Sequence, residues 1–241
     1  MEILDDLISG LNGKTGVKDI RQGIFYTGVF TRHCGMAATL SREAMRQKSP
    51  LVTSPGSYME KSSLELSQMA YSKSLLEAAI GMATINSLLD SDEEHCLELN
   101  ARELIAEKGE GKRVAIIGHF PFIPKIREVA KELWVIEKSP REGDFPEKDA
   151  ENLIPRAQVV AITGTSITNH TFERLVDLCH AKAYVIVLGA TTPLSPILFD
   201  HGVDAISGTR VIDPELTLRC ISEGATFRQI LGTRRVTMLR S

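Results

Sequence analysis

The stretch whose reading decides the fold is "RVAIIGHFPFIPKIREVA", residues 113–130. An apolar run from Val114 to Ile117 meets a glycine, and helix-forming residues follow within a few positions. Strand, glycine turn and helix in that order open a nucleotide-binding Rossmann unit. The turn departs from the dinucleotide pattern, however. Gly118-His119-Phe120-Pro121-Phe122 lacks the later glycines that let a backbone approach a pyrophosphate, and bulky side chains stand in their place.

The same grammar continues downstream. Runs at 132–137 (ELWVIE), 158–163 (QVVAIT), 183–188 (AYVIVL) and 203–207 (VDAIS) read as strands alternating with helices. Several are apolar almost throughout, the pattern of parallel strands covered on both faces. A helix is expected over 97–108, ending at Gly109. Ser195-Pro196 and Asp213-Pro214 pair an N-cap with a proline at the first helical position. Gly202 and Gly224 stand where helices end. Residues 96–241 therefore predict an α/β domain built on a doubly wound, Rossmann-like parallel sheet.

Residues 1–95 read differently. Ile3, Leu4, Leu7, Ile8 and Leu11 make a helical stripe. "GIFYTGVFTRHCGMAATL" (23–40) predicts a hairpin with a glycine-containing turn at Arg32–Gly35. "KSPLVTSPGSYMEK" (48–61) is irregular, and Ser62 with Glu65 forms a capping box opening a helix near residue 63. A longer helix over 73–90 places Leu75, Leu76, Ala79, Ile80, Ala83 and Leu88 on an apolar side. These elements predict a small α+β domain, with the acidic "SDEEH" (91–95) as the boundary.

The bulk numbers exclude several functions. A formal net charge of −3 over 241 residues offers no broad basic surface for nucleic acid. The basic run "FRQILGTRRVTMLR" (227–240) is short, with Phe227 its one aromatic residue, and reads as a strand or solvated edge. No apolar run approaches the roughly 18 residues that span a bilayer, and the acidic N-terminus is unlike a signal peptide. Cys34, Cys96, Cys179 and Cys220 form no C-x-x-C pair, which fits free thiols in a reducing, cytoplasmic compartment.

In an open parallel sheet, ligands bind beyond the carboxyl ends of the strands. The loops to read are therefore "GHFPF" (118–122), "EKSPREGD" (137–144), "TGTSITN" (163–169) and "GATTPLSP" (189–196). His119 is expected to face the site, with Phe120 and Phe122 either walling it or packing in the core. Pro121 or Pro124 could start the next helix. Glu137 lies 19 residues after Gly118 (137 − 118), where a ribose-binding acid stands in dinucleotide sites. That keeps a nucleotide open as an alternative to a solvated acid.

Thr163, Gly164, Thr165, Ser166, Thr168 and Asn169 supply more hydroxyl and amide groups than capping requires, with Thr168 or Asn169 the natural caps. Thr191, Thr192, Pro193 and Ser195 repeat that logic on a stiffened loop. No histidine pair has metal-ligand spacing. A transition-metal site would have to be assembled in space, for example from His33 and Cys34 with His119 and Glu137. Cys34 reads equally as an exposed thiol or a small hairpin residue, and no nucleophile elbow is present.

"VAIIGHFPFI", "ITGTSITNHTFERLVDL" and "VLGATTPLSPILFDHGVDAISGTRVIDPE" resemble the heavy-metal chelation family over about residues 96–241. The N-terminal part, with its hairpin and "GMAATL", resembles the family's companion domain, whose fold is similar to the N-terminal domain of enolase. The resemblance implies a homodimer with its site in a cleft where the two domains meet over the strand ends. It implies site residues His119, Phe120 and Pro121, then Gly164, Thr165 and Asn169, then Thr191, Thr192, Pro193 and Ser195. The expected function is binding of a small anionic or metal-chelating molecule, with a transition metal or metal chelate as the expected cofactor. The alternative is an enzyme acting on a pterin or nucleotide, with His119 as acid or base.

Overall fold

A computed structural model describes residues 1–13, 15–47, 52–90 and 96–240; the expected boundary at 91–95 lies outside the described residues. The amphipathic start folds as α1 (Glu2–Ser9), which buries Ile3, Leu4, Leu7 and Ile8 on one face. Three antiparallel strands follow in the order β1 (Asp19–Gln22), β2 (Tyr26–Phe30) and β3 (Cys34–Ala38). The sequence signals the β2–β3 hairpin but not β1, whose "DIRQ" has no apolar alternation and is a strand because it pairs with β2.

Short helices α2 (Ser41–Ala44) and α3 (Ser63–Gln68) lead to α4 (Leu75–Leu88). The Ser62–Glu65 capping box is formed on both sides. Gly35 is not in the hairpin turn but inside β3, opposite Val29. A Cβ there would stand 2.2 Å from the Ala83 carbonyl oxygen and 2.4 Å from the Ser87 amide nitrogen. The glycine therefore lets β3 lie directly against α4. That helix has no single apolar side as expected; it is buried on nearly every face, because β2 and β3 pack on it together with α3, the Met69–Tyr71 turn and the Thr165–Thr168 turn of the second half.

Glu77 of α4 is 5% exposed, yet it is a carboxylate. It accepts hydrogen bonds from the Thr53 amide (2.7 Å), Thr53 Oγ1 (2.6 Å), Ser72 Oγ (2.7 Å) and Tyr58 OH (3.4 Å). Burial pushes its pKa up, but the bonds from Ser72, Thr53 and Tyr58 together outweigh burial and hold it below its ordinary value. One charge thus pins the irregular stretch around Thr53 and Tyr58 to the helix.

The second half begins with α5 (Ala101–Gly109), which starts later than expected because Asn100 caps it and Leu97 pairs with Thr237 instead. Then come β4 (Arg113–Ile117), α6 (Ile123–Val129), β5 (Glu132–Glu137) and β6 (Phe145–Pro146). The chain continues through α7 (Ala150–Leu153), β7 (Val159–Thr163), α8 (Thr165–Thr168) and α9 (Phe172–Asp177). It closes with β8 (Tyr184–Leu188), α10 (Ile197–Asp200), β9 (Ala205–Val211), α11 (Pro214–Ser222) and β10 (Thr233–Leu239).

The strand order is β10-β9-β8-β7-β4-β5-β6, parallel except for β10. Val114, Ile116, Val135 and Val159 pack with α5 and α6 on one face. Ala115, Ile136, Val160 and Ile162 join the core shared with α1, α4 and α9 on the other. Asp213 caps α11 through the Leu216 amide at 3.1 Å, as expected. Gly202 and Gly224 follow their helices at φ +81° and +77°. Helix α10 begins one residue late, at Ile197, so Pro196 takes the cap position. Among the described residues, no helix is long and apolar enough to cross a membrane.

Candidate functional site

The order in which the chain adds strands reverses between the parallel neighbours β4 and β7, and the loops leaving those two strands diverge to opposite sides. A crevice opens there by construction. Gly118 turns the chain at the end of β4 with φ +107°, and the ring of Phe120 folds back so that its Cε2 lies 3.2 Å from where a Gly118 Cβ would be. Helix α6 adds no phosphate cradle. Pro124 has no N–H, and the amides of Ile123, Lys125 and Ile126 bond to Phe120 and Phe122 carbonyls at 3.2, 3.0 and 3.3 Å. The helix N-terminus that holds a pyrophosphate in dinucleotide proteins is therefore closed.

Two cavities open over the strand ends, of about 820 and 670 Å³, and they share His119, Phe120, Thr163 and Thr165. The larger runs toward β8, β9 and β10, and Tyr26 and Ala38 of the small sheet border it. The smaller is closed by the Leu40–Gln47 segment and by Ser72 and Lys73, and it holds Gly118, Glu137, Asn169 and His170. Both halves of the chain therefore contribute walls.

At the junction, His119 Nδ1 lies 3.1 Å from Asp144 Oδ2. The Asp144 side chain is 3% exposed and His119 26%, so a nearly buried carboxylate holds a partly open imidazole. The same Oδ2 accepts the Arg141 amide at 3.0 Å, and Gly143 at φ +85° closes the turn that places it. An ionised carboxylate only accepts, so in the neutral imidazole Nδ1 is the donor and Nε2 carries the lone pair.

Both family models that match the chain carry the description "Putative heavy-metal chelation", and they cover residues 4–89 and 100–240. The chain belongs to this family. An uncharacterized protein of Methanocaldococcus jannaschii is 28% identical over 163 residues, 64% of this chain and 62% of that relative. The match thus spans less than two thirds of that protein's length. Two crystal structures share the fold of this family member. One, of a protein with unknown function from Desulfitobacterium hafniense DCB-2, superposes with a TM-score of 0.88 at 24% identity, covering 99% of this chain and 98% of that one. The other, also of unknown function and from Pyrococcus horikoshii, gives 0.83 at 22% identity over the same shares.

For a chelation-family chain the ligand set matters. Among the described residues, no group of three or more His, Cys, Asp or Glu side chains could hold a metal ion. The assembled set of His33 and Cys34 with His119 and Glu137 is not formed. His33 lies 3.6 Å from Asp90, at the far end of the hairpin. Cys34 is 5% exposed among Met36, Leu218 and Ile221, and burial, with Asp19 adding to it, pushes its thiol up to about 12. A thiol so placed is a packing residue, not a ligand.

The hydroxyl loops divide. Thr163 and Thr165 meet at 3.0 Å through their Oγ1 atoms, and with Gly164 they face the larger cavity. "TGTSITN" is not open loop but largely the turn α8, and neither Thr168 nor Asn169 caps α9, whose cap position is Thr171. Thr191 borders the larger cavity but is 1% exposed and joins the two sheets: its Oγ1 accepts the Ala38 amide at 2.9 Å, and its carbonyl accepts Asn86 Nδ2 at 3.0 Å. Thr192, Pro193 and Ser195 are buried and line neither cavity. Thr192 Oγ1 stands instead 2.5 Å from where a Gly164 Cβ would be, and Ser195 Oγ accepts the Ile197 amide at 3.4 Å.

Asp144 lies in the "EKSPREGD" loop that the sequence marks without singling it out, and Arg228, Arg234 and Arg235 lie in the basic run read as a strand or solvated edge. Arg234 and Arg235 line that cavity because β10 runs antiparallel, so its first residues lie at the ligand-binding edge. The signal for Asp144 was the "REGD" turn immediately after the second parallel strand.

Proposed function

We propose that this protein binds a small anionic or metal-chelating molecule in the cleft over the strand ends, with His119 at its centre. The observation that carries this reading is the imidazole at the junction of two cavities, fixed through Nδ1 by Asp144 and offering Nε2. Thr163, Gly164 and Thr165 supply hydrogen-bonding groups beside it, and Glu137 and Asn169 face the smaller cavity. The family description supports a metal-related ligand. In this reading residues 1–95 are an enolase-N-terminal-like module and residues 96–241 the Rossmann-like ligand module.

The protein works as a cytoplasmic homodimer with no nucleic-acid partner. Cys34, Cys96, Cys179 and Cys220, none of them in a disulfide, support the reducing compartment. Native mass spectrometry of gently purified protein with elemental analysis, alongside His119→Ala, tests the reading. A small molecule or metal that co-purifies and disappears in the variant supports it. A chain that carries nothing, and is unchanged by the substitution, counts against it.

A further inference from the structure

We propose, resting on that reading, that the molecule held is a planar metal chelate bearing acidic groups, bound to the protein through His119 Nε2. A histidine that ligates metal typically gives its other ring N–H to a carboxylate or carbonyl, which fixes the tautomer and raises ligand basicity. His119 and Asp144 have that arrangement, and Nε2 has no protein partner among the described residues. One imidazole does not hold a bare ion, and no set of three donors surrounds it. The remaining coordination positions must therefore arrive with the metal.

The shape of that molecule follows from the larger cavity. At about 820 Å³ it lies within the roughly 300–1,000 Å³ of pockets that enclose whole ligands. Two aromatic pairs line it: Phe120 and Phe122, stacked at 5.1 Å and 14°, and Tyr26 and Phe227 at 6.0 Å. Flat apolar walls favour a flat conjugated ligand. Its rim is cationic. Arg234 is paired with Glu98 at 3.3 Å, while Arg228 and Arg235 have no carboxylate partner among the described residues, and the Arg235 guanidinium lies 5.0 Å over Phe227. Guanidinium groups at the mouth of an aromatic slot suit carboxylates on the edge of a planar ring. The bond to the metal is a donated electron pair from Nε2; no group is transferred and no electron moves.

Absorbance titration with iron(III) protoporphyrin IX and with metal-free protoporphyrin IX tests this. The wild-type chain is expected to bind both near one equivalent, the metal-free form followed by its fluorescence, with the Soret shift of imidazole ligation for the iron form only. His119→Ala should lose the shift and bind the iron form at least tenfold more weakly, leaving the metal-free form unchanged. Asp144→Asn should weaken the iron form about 10–100-fold. Arg228→Ala with Arg235→Ala should weaken both forms alike. A Soret band unchanged by His119→Ala overturns the inference, as does a wild type that binds neither porphyrin. Equilibrium dialysis with iron(III) citrate then separates the two levels. Citrate-chelate binding that needs His119, without porphyrin binding, leaves the anionic-chelate reading standing and removes the planar one. Binding of neither probe, by protein that also carries nothing on purification, removes both.

Discussion

Nδ1 of His119 and Oδ2 of Asp144 stand 3.1 Å apart, with the carboxylate almost fully enclosed and the imidazole partly open. The buried partner dictates the state of the exposed one, since an acceptor-only oxygen selects the Nδ1–H tautomer and leaves Nε2 bare. Nitrogen-15 spectra of the neutral imidazole are expected to show that tautomer in the wild type. Asp144→Ala should shift it toward the Nε2–H form. An Nε2–H tautomer in the unsubstituted protein contradicts the geometry.

Glu77→Gln is expected to destabilise the fold by about 2 kcal/mol, the scale of hydrogen bonds to a buried charge. The pH dependence has a definite sign. Because the folded-state pKa of Glu77 is lowered, its contribution is present above the ordinary carboxylate value of about 4.3 and is lost as pH falls through the folded value. Urea denaturation at neutral and acidic pH should therefore show the gap between wild type and variant closing on the acid side. A gap that widens there refutes the assignment of Glu77 as a folded-state anion.

Gly35→Ala should cost about 3 kcal/mol or abolish soluble expression, since the methyl would meet backbone atoms of α4 at 2.2 and 2.4 Å. Gly16→Ala is the control: nothing lies within 4 Å of that Cβ, and a change within about 0.5 kcal/mol is expected. Thermal melts of the two variants compare them directly.

Burial pushes the thiols of Cys34 and Cys179 up to about 12, so both should resist alkylation near pH 8 until the chain unfolds. Peptide mapping after timed iodoacetamide exposure checks this. Rapid labelling of Cys34 in the folded protein would reopen its candidacy as a metal ligand.

The parallel strands were legible because burial on both faces leaves an apolar run that no other element shares, and Val114–Ile117 and Val159–Ile162 both show it. Strand β1 was not, because "DIRQ" owes its conformation to pairing and not to composition. The same division holds in the site. His119 announced itself by following a strand-end glycine, a local signal. Asp144 comes within reach of it only through the loop that joins β5 to β6, and Arg234 and Arg235 reach the cavity only because β10 is antiparallel. Their place in the site is a fact of topology, which the "REGD" turn and the basic run mark only as segments.

Thr191 separates composition from geometry most sharply. Its hydroxyl reads as a ligand-binding group, yet it accepts the Ala38 amide at 2.9 Å and is 1% exposed. Thr191→Val keeps the shape and removes the acceptor, leaving that amide unpaired in the interior. The expected cost is about 1–3 kcal/mol of stability, read from urea midpoints. Binding of iron(III) protoporphyrin IX or iron(III) citrate, whichever the wild type holds, should then be unchanged at temperatures where the variant is folded. Thr165→Val should do the reverse: its Oγ1 meets Thr163 at 3.0 Å beside the larger cavity, so affinity falls while the midpoint moves little. If Thr191→Val instead weakened binding at full stability, the hydroxyl would belong to the site and the junction between the two sheets would be part of it.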